Sequence, residues 1–173
     1  MRRVGVLTVV AALCLAVAGR VTAEDKGLKA GDKAPEFKLT DLAGKEVALK
    51  DLKGKVVFLD FWATWCRPCR EALPHTEELA KREEAKKGDL QVLAINCAET
   101  KQTVAKFLKE KGYTFRCAIG DGAVLKAYKV EGIPLFVVVG RDGVITWTAA
   151  GFSKATAEEM DKAIDAALKK KAE

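Results

Sequence analysis

The stretch that decides the fold spans residues 56–70 and reads VVFLDFWATWCRPCR. Its first seven residues are apolar except for Asp60, a pattern typical of a central strand that is buried on both faces. Two cysteines three positions apart, Cys66 and Cys69, follow where this strand would end and a helix-forming stretch from Arg67 begins. The pattern therefore predicts a buried strand that delivers a cysteine to the N-terminus of a helix.

The chain on either side of this stretch alternates strand and helix patterns. The predicted elements are a hairpin at 37–39 and 46–49, a strand at 90–95, a helix around Val104 to Leu108 that ends at Gly112, a strand at 113–118, a helix at 123–128, a hairpin at 135–139 and 144–148, and a final helix with Thr156 and Glu159 as a capping box. Strands in the middle, helices between them and hairpins at both ends predict a single α/β sandwich around a mixed sheet.

The first 23 residues have the pattern of a signal peptide. Arg2 and Arg3 precede an uncharged, mostly apolar stretch, and small residues around Ala23 suit a signal peptidase. We expect cleavage after Ala23, which leaves a mature domain at 24–173 in a periplasmic or other extracytoplasmic compartment. The apolar stretch is shorter than the roughly 20 residues that span a bilayer, and the alternative is an uncleaved leader that tethers the domain to the membrane.

Charge and composition exclude several classes of function. The chain has 30 Lys and Arg against 24 Asp and Glu, and three of the arginines lie in the leader, so the remaining 150 residues carry a net charge of only +3. A balance this mild is typical of a solvated surface and excludes a nucleic-acid footprint. Because His75 is the single histidine, sites built from several histidines are excluded as well.

The spacing of Cys66 and Cys69 predicts redox chemistry. The free N–H groups and dipole of a helix N-terminus favour the thiolate of the first cysteine, and Arg67 adds a positive charge beside it. Cys69 would lie one turn into the helix, shielded and within reach for ring closure. The alternatives are half of a zinc site, for which no second ligand pair is present, and a purely structural disulfide, whose small loop contributes little stability.

A family resemblance makes the prediction more specific. Residues 61–70, FWATWCRPCR, resemble the active-site segment of the thioredoxin superfamily, and Gly132-Ile133-Pro134 resembles the loop that carries its cis-proline. Residues 31–37, GDKAPEF, are similar to the redoxin branch, in particular the exported TlpA-like and ResA-like thiol:disulfide oxidoreductases. The resemblance runs from about Gly31 to Lys170 and implies a thioredoxin-like three-layer sandwich with a central mixed sheet and an N-terminal hairpin.

The resemblance also assigns roles to individual residues. It implies that Cys66 is the attacking thiol, Cys69 the resolving thiol, Pro134 the cis-proline that faces them and Asp60 a buried acid. The supporting residues would be Trp65, Arg67, Pro68 and Ile133. Two positions depart from the family pattern, because the helix carries its acid at Glu71 rather than at Ala72, and Leu135 follows the proline where a threonine is common.

The resemblance implies partners but no cofactor. We expect a monomer that uses neither metal nor organic cofactor and reduces disulfides in client proteins. The clients would include apocytochrome c, whose thiols must be reduced before haem attachment, and a membrane thiol transporter would supply the electrons.

Two of the assigned residues also have a physical argument. A carboxylate inside an apolar strand is costly unless it is protonated or partnered, so Asp60 could accept the proton of Cys69; the alternative is a solvated acid at the strand end. Pro134 cannot donate to a sheet ladder, so it marks at least a turn before a strand. A cis bond there would leave neighbouring backbone groups free to pair with an extended client.

Three other functions compete with dithiol exchange. A thiol peroxidase of the redoxin branch would have a threonine three residues before the reactive cysteine, where this chain has Ala63. A thioredoxin-like module that binds clients without turnover would not require both Cys66 and Cys69. The third alternative is a structural zinc domain.

Two further cysteines follow at Cys97 and Cys117. They lie at the end of one predicted strand and in the next, so a strand, helix, strand return predicts a structural disulfide between them. The alternative is a pair of buried free thiols that pack as small apolar side chains.

Overall fold

The computed structural model describes residues 27–85 and 88–170, so the predicted leader at 1–23 lies outside the described residues. In chain order the elements are β1 Lys38–Thr40, β2 Glu46–Ala48, a short 3-10 helix Leu49–Leu52, β3 Val56–Trp62, α1 Arg67–Ala85, β4 Leu90–Cys97, α2 Lys101–Lys111, β5 Arg116–Gly120, α3 Gly122–Ala127, β6 Leu135–Val139, β7 Ile145–Ala150 and α4 Lys154–Lys169. Within these ranges, no helix has the length and apolar character needed to cross a bilayer.

A five-stranded mixed sheet forms the centre of the molecule, with the strand order β5-β4-β3-β6-β7. β3 pairs parallel to β4 and antiparallel to β6, and all seven of its residues are buried. β1 and β2 form a separate antiparallel pair near the N-terminus. The predicted α/β fold, with its central mixed sheet and N-terminal hairpin, is confirmed.

Two apolar clusters on the two faces of the sheet produce the three-layer arrangement. On one face, Val56, Phe58 and Trp62 of β3 pack with buried side chains of α1, α2 and α4. On the other face, the alternate β3 residues Val57 and Leu59 pack with β1, β2 and α3. β3 thus contributes every second side chain to each core, which is why its sequence shows no polar face.

Two of the predicted element boundaries were wrong for reasons of local hydrogen bonding. β5 begins at Arg116 rather than at 113, because the Glu77 carboxylate accepts the backbone N–H groups of Thr114 and Phe115 before they can join the ladder. α4 begins one turn before the predicted capping box, because the Ser153 hydroxyl accepts the N–H of Thr156 and caps the helix there.

The predicted disulfide between Cys97 and Cys117 was also wrong: within residues 27–85 and 88–170 both are free, buried thiols. In the parallel register Cys117 lies opposite Ala94 and Cys97 opposite Gly120, so the two cysteines are three positions apart along the strands, or about 10 Å. They also face opposite sides of the sheet, since Cys97 packs in the cluster with α3 and Cys117 in the cluster with α1. A disulfide needs Cα atoms within about 7 Å, which this arrangement does not allow.

We predict that Cys97 and Cys117 carry free thiols in the oxidised protein and that neither reacts while the chain is folded. Burial raises the pKa of both thiols to about 12, so each stays protonated and shielded at neutral pH. Iodoacetamide followed by peptide mapping checks this: no label on either residue in the native protein, and label on both after unfolding without reductant. A peptide pair linked through Cys97 and Cys117 would contradict the register.

Candidate active site

The site lies where β3 leaves the sheet and α1 begins. The chain turns at residues 63–66, and the Cys66 N–H donates to the Ala63 carbonyl oxygen at 3.2 Å. The Cys66 carbonyl oxygen then accepts the N–H of Arg70 at 3.1 Å, which is the first hydrogen bond of the helix. Cys66 therefore stands at the helix N-terminus, as predicted.

Cys66 and Cys69 are joined as a disulfide with an S–S distance of 2.05 Å and a Cα–Cα distance of 5.2 Å. The backbone N–H of Cys69 donates to the Cys66 sulfur at 3.2 Å. Cys66 retains 5% of its surface and Cys69 none, so an approaching molecule reaches Cys66 first. The Cys69 N–H would also stabilise a thiolate on Cys66 in the reduced protein.

The cis-proline loop faces the disulfide from the other side. The bond between Ile133 and Pro134 is cis, and the Ile133 carbonyl oxygen lies 3.6 Å from the Cys66 sulfur. The Pro134 carbonyl oxygen accepts the N–H of Gly151, which ties this loop to β7. Sequence positions 66 and 133, far apart in the chain, thus meet in one site.

Asp60 is fully buried on the α1-facing side of the sheet. One carboxyl oxygen accepts a hydrogen bond from the Thr76 hydroxyl of α1 at 2.7 Å, and the other has no hydrogen-bond partner among the described residues. Burial raises the pKa of Asp60 to about 7, and the Thr76 hydroxyl offsets only part of that effect. The carboxyl can therefore gain or lose a proton near neutral pH, and it is not solvated at a strand end.

The remaining predicted residues surround Cys66 at the surface. Trp65 is 68% exposed and is the large hydrophobic side chain most open to solvent in the described part of the chain. Arg67 is exposed and its guanidinium contacts Glu71 at 3.3 Å, so its charge is directed along the helix toward that carboxylate. Pro68 is exposed, whereas Ala72 is buried in the core.

Three polar residues of this region were missed from the sequence: Thr76, Asn96 and Glu99. The Glu99 carboxylate accepts hydrogen bonds from both Thr64 and Asn96. One signal could have found two of them. Asn96 lies near the end of β4 and Glu99 just after it, β4 is parallel to β3, and the carboxyl ends of parallel strands share one edge of a sheet. Thr76 lies seven residues after Cys69, on the same face of α1.

Comparisons with known proteins agree with this geometry. The Redoxin family model matches residues 29–168. Thiol-disulfide oxidoreductase ResA of Bacillus thuringiensis subsp. konkukian is 36% identical over 145 residues, covering 83% of this chain and 81% of that protein. ResA of Bacillus subtilis is 35% identical over 151 residues, covering 86% of this chain and 83% of that protein. A crystal structure from Chlorobium tepidum, described as a candidate thiol:disulfide interchange protein DsbE, has a TM-score of 0.74 and 37% identity and covers 82% of this chain and 99% of its own.

We predict that Asp60→Asn stabilises the oxidised protein increasingly as the pH rises from about 4 to about 7. The carboxyl has a pKa of 3.8 when exposed and about 7 when folded, so in this window the unfolded chain releases a proton that the folded chain keeps. The unfolding free energy of the unsubstituted protein therefore falls with pH by about 4 kcal/mol relative to the variant, and the difference is constant above about pH 7.

Urea unfolding at several pH values measures this difference. Asp51→Asn, at an exposed position, is the control for loss of one carboxylate. A stability difference between Asp60→Asn and the unsubstituted protein that does not vary with pH would contradict the assigned proton equilibrium.

Proposed function

The chain belongs to the Redoxin family, and on that premise we propose that it is a protein-disulfide reductase that works through Cys66 and Cys69. Its relatives at about 35% identity carry the name thiol-disulfide oxidoreductase. The observation that carries the assignment of the two residues is the placement of the Cys66 sulfur at the helix N-terminus, 3.2 Å from the Cys69 N–H and 3.6 Å from the cis-proline loop.

The exchange proceeds in two displacements. In the reduced protein the Cys66 thiolate attacks one sulfur of a client disulfide, so that a bond forms between Cys66 and the client and the other client sulfur leaves as a thiolate. The Cys69 thiolate then attacks the Cys66 sulfur, which closes the protein disulfide and releases the second client sulfur. Two electrons pass to the client, and the protein ends as the disulfide seen in the structure.

Asp60 takes part in the second displacement in this proposal. Cys69 is fully buried and must lose its proton before it can attack, so a base within the core favours that step. Asp60 is buried on the same face of the sheet as α1, and its pKa of about 7 allows it to accept a proton at neutral pH. In the reducing direction Cys69 is deprotonated in each cycle, and Asp60 would accept that proton; the direction itself is proposed on the family resemblance.

Client binding would use the cis-proline loop and the surface around Trp65. The loop faces Cys66 directly, so an extended client segment could pair with backbone groups beside Pro134. The exposed indole of Trp65 offers an apolar contact next to the reacting sulfur. We propose no nucleic-acid partner and a monomeric protein.

The leader pattern at 1–23 supports an extracytoplasmic location, periplasmic or tethered by the leader itself. Oxidised clients accumulate in such compartments, where a reductant needs its own electron source. Apocytochrome c as a client and a membrane thiol transporter as the electron donor are proposed on the family resemblance.

Two alternative functions fit the structure less well. A peroxidase of the redoxin branch would place a hydroxyl at position 63, where Ala63 is buried and apolar. A module that binds clients without turnover would have no use for two sulfurs at bonding distance beside a cis-proline.

Reduction of insulin disulfides, with dithiothreitol as the electron source, tests the proposal. We expect Cys66→Ala and Cys69→Ala to lower turnover to background. Asp60→Asn should lower turnover by about ten- to a hundred-fold at neutral pH, because resolution by Cys69 loses its base. Cys97→Ala is the matched control and should keep its turnover, since that thiol lies outside the site.

Turnover by Cys66→Ala would contradict the proposed role of the pair. A wild-type rate for Asp60→Asn would leave Asp60 with a structural role only. A reduction potential near the roughly −120 mV of strong disulfide oxidants, rather than near the roughly −270 mV of thioredoxin, would contradict the reducing direction.

A further inference from the structure

The Glu99 carboxylate makes three hydrogen bonds, two of them to one residue of the active-site turn. One oxygen accepts the Thr64 backbone N–H at 2.7 Å and the Asn96 side-chain amide at 2.8 Å. The other oxygen accepts the Thr64 hydroxyl at 2.5 Å. Both donors of Thr64 are therefore held by a residue 35 positions away in the chain.

Thr64 occupies a position that controls where Cys66 lies. Residues 63–66 form a β-turn that closes through the hydrogen bond from Cys66 N–H to Ala63 oxygen, and Thr64 is its second residue. The N–H of a second turn residue normally points to solvent and does not fix the turn. Because Glu99 accepts this N–H, the turn that follows β3 is hydrogen-bonded to the loop that follows the neighbouring strand β4.

The residue before Glu99 has a strained backbone conformation, and this conformation turns the chain so that Glu99 reaches Thr64. Ala98 has a φ of +66°, a left-handed conformation that residues other than glycine rarely adopt. It turns the chain sharply between the end of β4 at Cys97 and the start of α2 at Lys101, and Glu99 lies within this turn. Strain of this kind persists where the surrounding contacts determine the backbone, and it is concentrated at functional sites.

We infer that Glu99 is a positioning residue for Cys66: its hydrogen bonds to Thr64 set the turn that places the Cys66 sulfur at the N-terminus of α1 and opposite Ile133. Glu99 acts through Thr64 and does not contact the reacting sulfurs. This inference rests on the proposed role of Cys66 as the attacking thiol. Placement of the Cys66 sulfur therefore requires Glu99 in addition to the two cysteines and the cis-proline.

The chain contains a matched contact that serves as a control. Glu77 accepts the backbone N–H and the hydroxyl of Thr114, and also the N–H of Phe115, so it binds its loop in the same manner. That loop leads into β5 and does not carry Cys66. Removing either carboxylate costs hydrogen bonds to a loop, but only the loss of Glu99 should change the chemistry of Cys66.

Two substitutions at position 99 separate geometry from charge. In Glu99→Gln the amide oxygen can accept the Thr64 N–H and the Asn96 amide, and the amide nitrogen can donate to the Thr64 hydroxyl oxygen, so all three hydrogen bonds are retained without the charge. Glu99→Ala loses all three. We expect Glu99→Ala to lower kcat/KM for insulin reduction, and the rate of Cys66 alkylation, by about ten-fold. A displaced sulfur attacks a bound client more slowly, and it loses the Cys69 N–H that stabilises its thiolate.

Glu99→Gln should restore both rates to within about two-fold of the unsubstituted protein. Glu77→Ala should lower the melting temperature while leaving both rates unchanged. Unchanged rates in Glu99→Ala would overturn the inference, and so would a Glu99→Gln variant as slow as Glu99→Ala, since the charge would then be the operative property. Failure of the underlying function is recognised separately, by turnover in Cys66→Ala. If Glu99→Ala does not fold, Glu99→Gln and Thr64→Val decide instead. We expect Thr64→Val to slow both rates, and unchanged rates in that variant would overturn the inference.

Discussion

The burial of β3 on both faces is the constraint on which the rest of the site depends. Because every residue of the strand is buried, its end is fixed relative to the core, and the chain that leaves it must turn at once to begin α1. Cys66 occupies the last position before the helix, where the sulfur meets a backbone N–H that has no partner within the helix. The same strand places Asp60 inside the core, where a charge is costly.

Asp60 shows how burial that weakens the fold can also give a carboxyl the pKa that its proposed role in proton transfer requires. Burial destabilises its charged form, and one hydrogen bond from Thr76 compensates only in part, so the pKa reaches about 7. An ordinary carboxyl would be ionised at neutral pH and would hold a proton too weakly to exchange it with a thiol. The cost in stability and the capacity to accept a proton thus have one physical origin.

The sequence was informative where the pattern is local. The apolar run of β3, the glycine that ends α2 and the hairpin of β6 and β7 follow from spacing within a few residues, and the structure confirms them. Non-local contacts were not predictable in this way. The start of β5 depends on Glu77, the separation of Cys97 from Cys117 depends on the register and face of two strands, and the contact between Glu99 and Thr64 joins residues 35 positions apart.

Capture of a mixed disulfide by the reduced Cys69→Ala variant would show whether Cys66 is the attacking thiol. This variant is mixed with an equimolar protein disulfide, quenched with acid and mapped by mass spectrometry without reduction. We expect a single stable adduct on Cys66, because attack occurs there and no resolving thiol is present to release the client. An adduct on Cys97 or Cys117, or equally rapid capture through Cys69 in the Cys66→Ala variant, would contradict it.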